Sequence, residues 1–203
     1  MVGSGGSGVT LCIFCGSSFG KRPSYAAAAK ATGRLLAERG ITLVYGGGNV
    51  GLMGVAADAC LAAGGHVIGV IPRALADREV AHRGLTDLRI VGSMHERKAL
   101  MADLSDAFIA LPGGFGTFDE LFEILTWAQI GLHRKPFGLL NVDGYFDPLL
   151  GLADHMLAEG FLREAHRSMI QSDTDPARLL DRLAGSATPV ADKWSAGPDS
   201  SVR

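Results

Sequence analysis

Cysteine is scarce. Cys12, Cys15 and Cys60 are the only three in 203 residues, too few for a disulfide framework. Cys12 and Cys15 have the C-x-x-C spacing of a redox pair or half a metal site, but they lie in the apolar run Val9–Cys15, which reads as a strand. Residues three apart on a strand point to opposite faces. Both are therefore expected as buried core thiols, and a reduced, cytoplasmic protein is the default. No H-x-x-x-H or H-E-x-x-H spacing occurs, so no metal site is expected, and His95 and His133 are assigned to the surface or a pocket rim. A basic excess is missing too. Lys plus Arg is 19 against 21 Asp plus Glu, a net charge of −2, which argues against general nucleic-acid binding. Every apolar stretch is broken well short of the ~18 residues that a membrane span needs. The stretch Met1–Gly8 has neither the basic region nor the apolar core of a secretion signal. It is expected to be a flexible leader, with residues 191–203 as a flexible tail and residues 9–190 as a single domain.

Glycine is abundant: 28 of 203 residues, about twice the usual ~7% share. Its placement follows a pattern. Apolar runs at Val9–Cys15, Ile41–Tyr45, His66–Ile71, Leu88–Val91, Ala107–Leu111, Phe137–Asn141 and Ser168–Gln171 lack clean alternation, as strands covered on both faces do. Helix-length stretches at Tyr25–Glu38, Leu52–Ala63, His95–Leu104, Phe118–Ile130, Pro148–Ala158 and Pro176–Leu183 separate them. This β-α alternation predicts an α/β fold: a Rossmann-like, doubly wound parallel sheet of about seven strands with helices on both faces. Glycine-bearing loops follow the first, second and fifth strands, at Gly16-Ser17-Ser18, Gly46-Gly47-Gly48 and Gly113-Gly114-Phe115-Gly116-Thr117. In a parallel sheet all three emerge at the carboxyl edge, where ligands bind. Each feeds a helix N-terminus, which favours an anion. A phosphorylated ligand is the expectation, with tight turns holding no ligand as the alternative.

The second loop matches G-x-G-x-x-G at Gly46, Gly48 and Gly51, but Val70-Ile71-Pro72-Arg73 stands where a dinucleotide fold places its ribose-binding acid. The run Gly16-Ser17-Ser18-Phe19-Gly20-Lys21-Arg22 is one residue short of a Walker A loop and has no Ser or Thr after the Lys. A mononucleotide or sugar phosphate fits better. Two capping-box patterns flank the same edge. In Thr117-Phe118-Asp119-Glu120, the acid either bonds back to the Thr117 amide or faces a bound sugar. In Ser93-Met94-His95-Glu96, a helix is expected to start at Ser93, with Met94, Arg97, Met101 and Leu104 on one stripe. Arg97 is then a cation on a mostly apolar face and needs an anion: Glu120, Glu79 or a ligand phosphate. Lys98 is either a second phosphate contact or a surface residue.

The runs Met94-His95-Glu96-Arg97-Lys98-Ala99-Leu100-Met101 and Pro112-Gly113-Gly114-Phe115-Gly116-Thr117-Phe118-Asp119-Glu120 closely resemble the paired signatures of the Lonely guy family. These are cytokinin riboside 5'-monophosphate phosphoribohydrolases, long labelled lysine decarboxylase-like. Cys15-Gly16-Ser17-Ser18, Tyr45-Gly46-Gly47-Gly48, Gly51-Leu52-Met53-Gly54, Gly69-Val70-Ile71-Pro72 and Thr126-Trp127-Ala128-Gln129 extend the likeness over roughly Val9 to Leu162. The resemblance implies a Rossmann-like homodimer, and no cofactor is expected. It would hydrolyse the N-glycosidic bond of an N6-modified AMP, giving free base and ribose 5-phosphate. It also implies that Arg97 and Glu120 are catalytic. Substrate contacts map onto Glu79, Arg97, Lys98, Gly114, Phe115, Gly116, Thr117, Phe118, Asp119, Glu120 and Thr126, and the glycine loops add Gly16, Ser17, Gly47 and Gly113. Asp119 stands where the family often has Glu. Three rival readings remain: a nucleotide or cofactor carrier on the same fold, a DNA-binding module, and a pyridoxal-phosphate decarboxylase. The last needs a Schiff-base lysine, and of Lys21, Lys30, Lys98, Lys135 and Lys193 only Lys98 lies near the expected site.

Overall fold

The computed structural model describes residues 8–186, so the expected tail, the last residues of the expected domain and all but Gly8 of the expected leader lie outside the described residues. Strands and helices alternate as β1 (Thr10–Phe14), α1 (Pro23–Glu38), β2 (Thr42–Tyr45), α2 (Gly51–Ala62), β3 (Val67–Pro72), α3 (Arg73–Leu75), β4 (Asp87–Val91), α4 (Met94–Leu104), β5 (Ala107–Ala110), α5 (Phe115–Gln129), β6 (Phe137–Leu140), α6 (Asp147–Ala158), α7 (Glu164–Arg167), β7 (Ile170–Asp173) and α8 (Pro176–Gly185). A π-helical turn at Ala76–Val80 follows α3, and a single 3-10 turn at Val142–Gly144 precedes α6. The seven strands form one sheet in the order β4-β3-β2-β1-β5-β6-β7, and every pairing is parallel. This is the doubly wound, Rossmann-like α/β fold.

Alternate residues of each strand feed separate cores on the two faces. Leu11, Ile13 and Cys15 join Leu36 of α1, Leu52 and Ala56 of α2 and Leu179 and Leu183 of α8 on one face. Cys12 and Phe14 join Met101 of α4, Leu121 and Ile124 of α5 and Leu149 of α6 on the other. Cys12 and Cys15 thus point to opposite sides of the sheet, and all three cysteines are buried and free. Burial pushes the Cys60 thiol up to about 11 and raises Cys12 well above its ordinary range. Thiols so placed pack as small apolar groups. Among the described residues no helix is long and apolar enough to cross a membrane.

Local chemistry sets the helix ends. α1 has Pro at its first turn and an alanine-rich body, a good starter followed by the best helix former. At α8 the Asp175 carboxylate accepts from the Arg178 amide at 2.9 Å, an N-cap that contributes about 1 kcal/mol. Two expectations shift. β7 begins at Ile170, because Ser168 and Met169 close the turn after α7 through bonds to the carbonyls of Glu164 and His166. α5 begins at Phe115, one turn earlier than expected.

The strand order reverses direction between β1 and β5. The connections leaving these neighbours go to opposite faces, which opens a crevice outside their carboxyl ends. The two loops meet there: the Gly16 amide donates to the Pro112 carbonyl at 3.0 Å.

Candidate active site

A cavity of about 490 Å³ fills that crevice. Of the residues expected at the site, Gly16, Ser17, Arg97, Gly114, Phe115, Gly116, Thr117 and Glu120 line it. They come from the β1 loop, from α4 and from the first two turns of α5.

The floor is a bare helix terminus. Gly114 is the N-cap of α5 and offers no side chain to the first turn. The first amides of a helix have no intrahelical acceptor, so those of Phe115, Gly116 and Thr117 are free donors on residues that line the cavity, with the helix dipole behind them. Glycine is required at Gly113 on steric grounds: a Cβ there would lie 2.1 Å from Thr117 Oγ1. The capping box expected at Thr117 does not form. Thr117 lies inside the first turn, so Glu120 has no exposed end to cap, and among the described residues no hydrogen bond ties its carboxylate. The other box forms in modified shape. Ser93 Oγ accepts from the Glu96 amide at 3.1 Å, and Glu96 Oε2 accepts from Gly92 N at 2.7 Å, one residue before Ser93.

Arg97 and Glu120 form the polar wall, only 9% and 8% exposed. Arg97 Nε donates to the Val70 carbonyl at 3.1 Å and Nη2 to the Gly46 carbonyl at 3.2 Å. Nη2 also stands 3.6 Å from Glu120 Oε1, an ion pair rather than a hydrogen bond. Gly46 makes this seat: a Cβ there would fall 1.7 Å from Arg97 Nη2. Burial is the main influence on Glu120 and lifts its carboxyl from 4.5 to about 7. The Arg97 charge opposes this rise, and Asp119 adds to it. The site therefore holds an acid poised to gain or lose a proton near neutrality, the property that general acid–base chemistry requires.

The other expected residues lie off the cavity. Lys98 Nζ is 3.1 Å from Asp119 Oδ2 and 3.0 Å from Glu123 Oε2, so Lys98 and Asp119 neutralise each other on the α4–α5 surface. Phe118 packs into the core beneath α5. Thr126 is exposed nearly two turns beyond Glu120, with its hydroxyl bonded to the Phe122 carbonyl. Gly113 lines a smaller adjoining cavity with Tyr25 and Tyr145. Gly47 adopts a positive φ of 72° beside the Arg97 seat. Glu79 falls in the π-helical turn, and its side chain lies outside the described residues.

Sequence reasoning missed the apolar wall, made by Val50, Met53, Ile71, Leu75 and Val80. The available signal was positional: Ile71 lies near the end of β3 and the others follow β2 or β3 at the same carboxyl edge. Among the described residues no group of three or more His, Cys, Asp or Glu is gathered as a metal would need.

Fold and crevice together define a class: Rossmann-type α/β proteins with an anion-receptive helix terminus beside a buried acid. Residues 53–183 match the family model described as "Possible lysine decarboxylase". Over 173 residues the chain is 54% identical to a protein of Oryza sativa subsp. japonica named "Probable cytokinin riboside 5'-monophosphate phosphoribohydrolase", covering 85% of this chain and 76% of that one. A cytokinin riboside 5'-monophosphate phosphoribohydrolase of Arabidopsis thaliana is 52% identical over 85% of this chain and 80% of its own. The chain belongs to this family. Among solved structures, the molybdenum cofactor binding protein of Rippkaea orientalis matches with a TM-score of 0.66 at 21% identity, covering 87% of this chain and 96% of that one. The Moco carrier protein of Chlamydomonas reinhardtii gives 0.67 at 20%, covering 89% and 100%. Likeness at that identity shows the fold alone.

Proposed function

We propose that this protein hydrolyses the N-glycosidic bond of N6-modified adenosine 5'-monophosphate, and of AMP, releasing free base and ribose 5-phosphate. One observation carries the reading: a buried carboxylate, Glu120, shares a cavity with the uncapped N-terminus of α5 less than two turns away. The names of relatives 54% and 52% identical support it.

The amides of Phe115, Gly116 and Thr117, with Gly16, Ser17 and Gly114 beside them, receive the 5'-phosphate. That anchor places the ribose against Glu120. As the bond from sugar to base breaks, its electron pair leaves with the base and positive charge builds on the ribose, as in other glycoside hydrolyses. The Glu120 carboxylate stabilises that charge and accepts a proton from the attacking water, whose oxygen bonds to the anomeric carbon. The departing nitrogen takes up a proton from solvent, and Glu120 returns to solvent the one it took from the attacking water, which regenerates the carboxylate. Arg97 holds Glu120 and the leaving nucleotide in place. Gly47 and Gly113 shape the two loops, and Lys98 and Asp119 set the charge behind Glu120. Contacts from Glu79, Phe118 and Thr126 to substrate belong to the same proposal. Gripping a remote phosphate converts binding into positioning, which lowers a barrier by several kcal/mol.

We also assign the protein to a reducing, cytoplasmic setting, supported by three buried free thiols, and to a homodimer. The dimer is supported by exposed apolar residues around one groove: Phe122 at 40% and Phe161 at 84% exposure. Light scattering in solution tests the dimer.

The test of activity is incubation with AMP, isopentenyl-AMP and adenosine, with chromatography for free base. Base from the two nucleotides and little from adenosine is expected. Equal turnover of adenosine removes the phosphate anchor, and tight AMP binding without base release supports the carrier reading instead.

A further inference from the structure

The connection from β6 to α6 touches both glycine loops of the site, yet it supplies no residue to the main cavity. Its Tyr145 hydroxyl donates to the Gly113 carbonyl on the β5 loop. Two residues earlier, Asp143 Oδ2 accepts from Ser24 Oγ at 2.5 Å. The Arg22 guanidinium lies 3.7 Å from the same oxygen and donates to the Asp143 carbonyl at 3.4 Å. Ser24 and Arg22 belong to the junction of the β1 loop with α1. One short segment therefore grips both loops that flank the reversal of strand order.

The segment is built for that grip. Asp143 is the one non-glycine residue at positive φ among the described residues, at 52°, a conformation Asp tolerates better than most residues. Asn141 braces the far side: its Oδ1 accepts from the Phe146 amide at 2.7 Å, and its Nδ2 donates to Asp147 Oδ1 at 2.7 Å. The Tyr145 ring packs edge-on against Tyr25 and against the fully buried Phe146, with centroids 5.7 and 5.1 Å away. The ring is packed on two sides, and the carboxylate, 43% exposed, is met by Ser24 and Arg22.

We infer that Tyr145 and Asp143 are positioning residues, which hold the Gly113–Thr117 amides and the Gly16–Ser17 loop at the spacing a phosphate requires. This inference rests on the reading of that crevice as a phosphate site. The Gly113 carbonyl lies immediately before the uncapped turn of α5, so a tether on it sets the aim of the free amides. Free amides are useful only when preorganised.

Two variants test it without threatening the fold. Tyr145→Phe removes one hydroxyl and keeps the ring contacts. Asp143→Gly removes the carboxylate at a φ that glycine adopts readily. The expected result is a dissociation constant for ribose 5-phosphate raised about threefold to tenfold in each, the scale of one lost hydrogen bond. With AMP as substrate, KM should rise by the same factor while kcat moves less than about twofold. The calorimetric titration with ribose 5-phosphate does not depend on catalysis, so the two readings fail separately. Wild-type protein that binds ribose 5-phosphate but releases no base removes the hydrolase and leaves this inference to the binding constants. Active wild-type protein with unchanged constants in both variants removes this inference alone. Wild-type protein that binds no ribose 5-phosphate removes both.

Discussion

Replacing Glu120 by Gln should make the protein more stable and nearly inactive, with the stability gain confined to one side of neutrality. The carboxyl is 8% exposed and is lifted from 4.5 to about 7, chiefly by burial. A carboxyl whose value is higher folded than unfolded favours the fold while protonated. That contribution is intact below pH 4.5, is lost as pH rises toward about 7, and stays lost above it. A shift of this size corresponds to about 3 kcal/mol at most. Glutamine keeps the shape and never ionises, so at pH 8 the variant avoids this penalty. For a domain of this size the gain is worth about 5–10 °C in melting temperature. At pH 4.5 the two proteins should melt together. Losing one charge that acts on the transition state costs on the order of 10²–10³ in rate. Differential scanning calorimetry at pH 4.5, 6 and 8, with base release measured on the same samples, checks both halves. A variant that melts below wild type at pH 8, or a difference that does not change with pH, refutes the argument that Glu120 is a buried, strained anion. Near-normal activity in the variant refutes its chemical role.

Wild-type kcat/KM for AMP should climb between pH 6 and 8 along a limb near 7, because Glu120 acts as the carboxylate; a flat profile counts against it. Gly46→Ala places a methyl where Arg97 Nη2 now sits, so a loss of base release of at least about tenfold is expected as the guanidinium is displaced; unchanged kinetics would show that the Arg97 seat does not matter. The Tyr45 hydroxyl is buried with no hydrogen-bond partner among the described residues, so Tyr45→Phe should stabilise the fold by about 1 kcal/mol in chemical denaturation, and a destabilised variant would reveal an unrecognised partner. Native protein should leave all three thiols unreacted with a thiol reagent and release them on unfolding, since each is buried.

The fold was legible because its inner strands, β1, β2, β3, β5 and β6, are buried almost throughout. Seven apolar runs without alternation predicted seven parallel strands, and the observed β1 to β7 overlap all seven. The short helices α3 and α7, three and four residues long, hold less than the two turns in which a 3.6-residue period shows. The start of α5 was hidden because Thr117 and Glu120 have the spacing of a cap. The glycine pair ahead of them lets the helix begin at Phe115 with its amides bare, and no local pattern distinguishes the two. Arg97 was legible as a cation needing an anion, but its strongest partners are the carbonyls of Gly46 and Val70, which a sequence does not display. The pairing of Lys98 with Asp119 and Glu123 crosses from α4 to α5 and depends on how two helices lie together. The apolar wall gathers residues from β3, α2 and the connections beside them, with no spacing to announce it.

The Arg97 guanidinium is fastened by two main-chain oxygens, of Val70 in β3 and of Gly46 just past β2, and its link to Glu120 is the longer one at 3.6 Å. When Glu120 picks up or sheds its proton, the cation beside it has no reason to swing away. Glu120 then switches between neutral and anionic forms beside a fixed cation, as an electrode changes potential without changing shape, and the pH response of the crevice should follow the titration of one proton rather than a cooperative rearrangement.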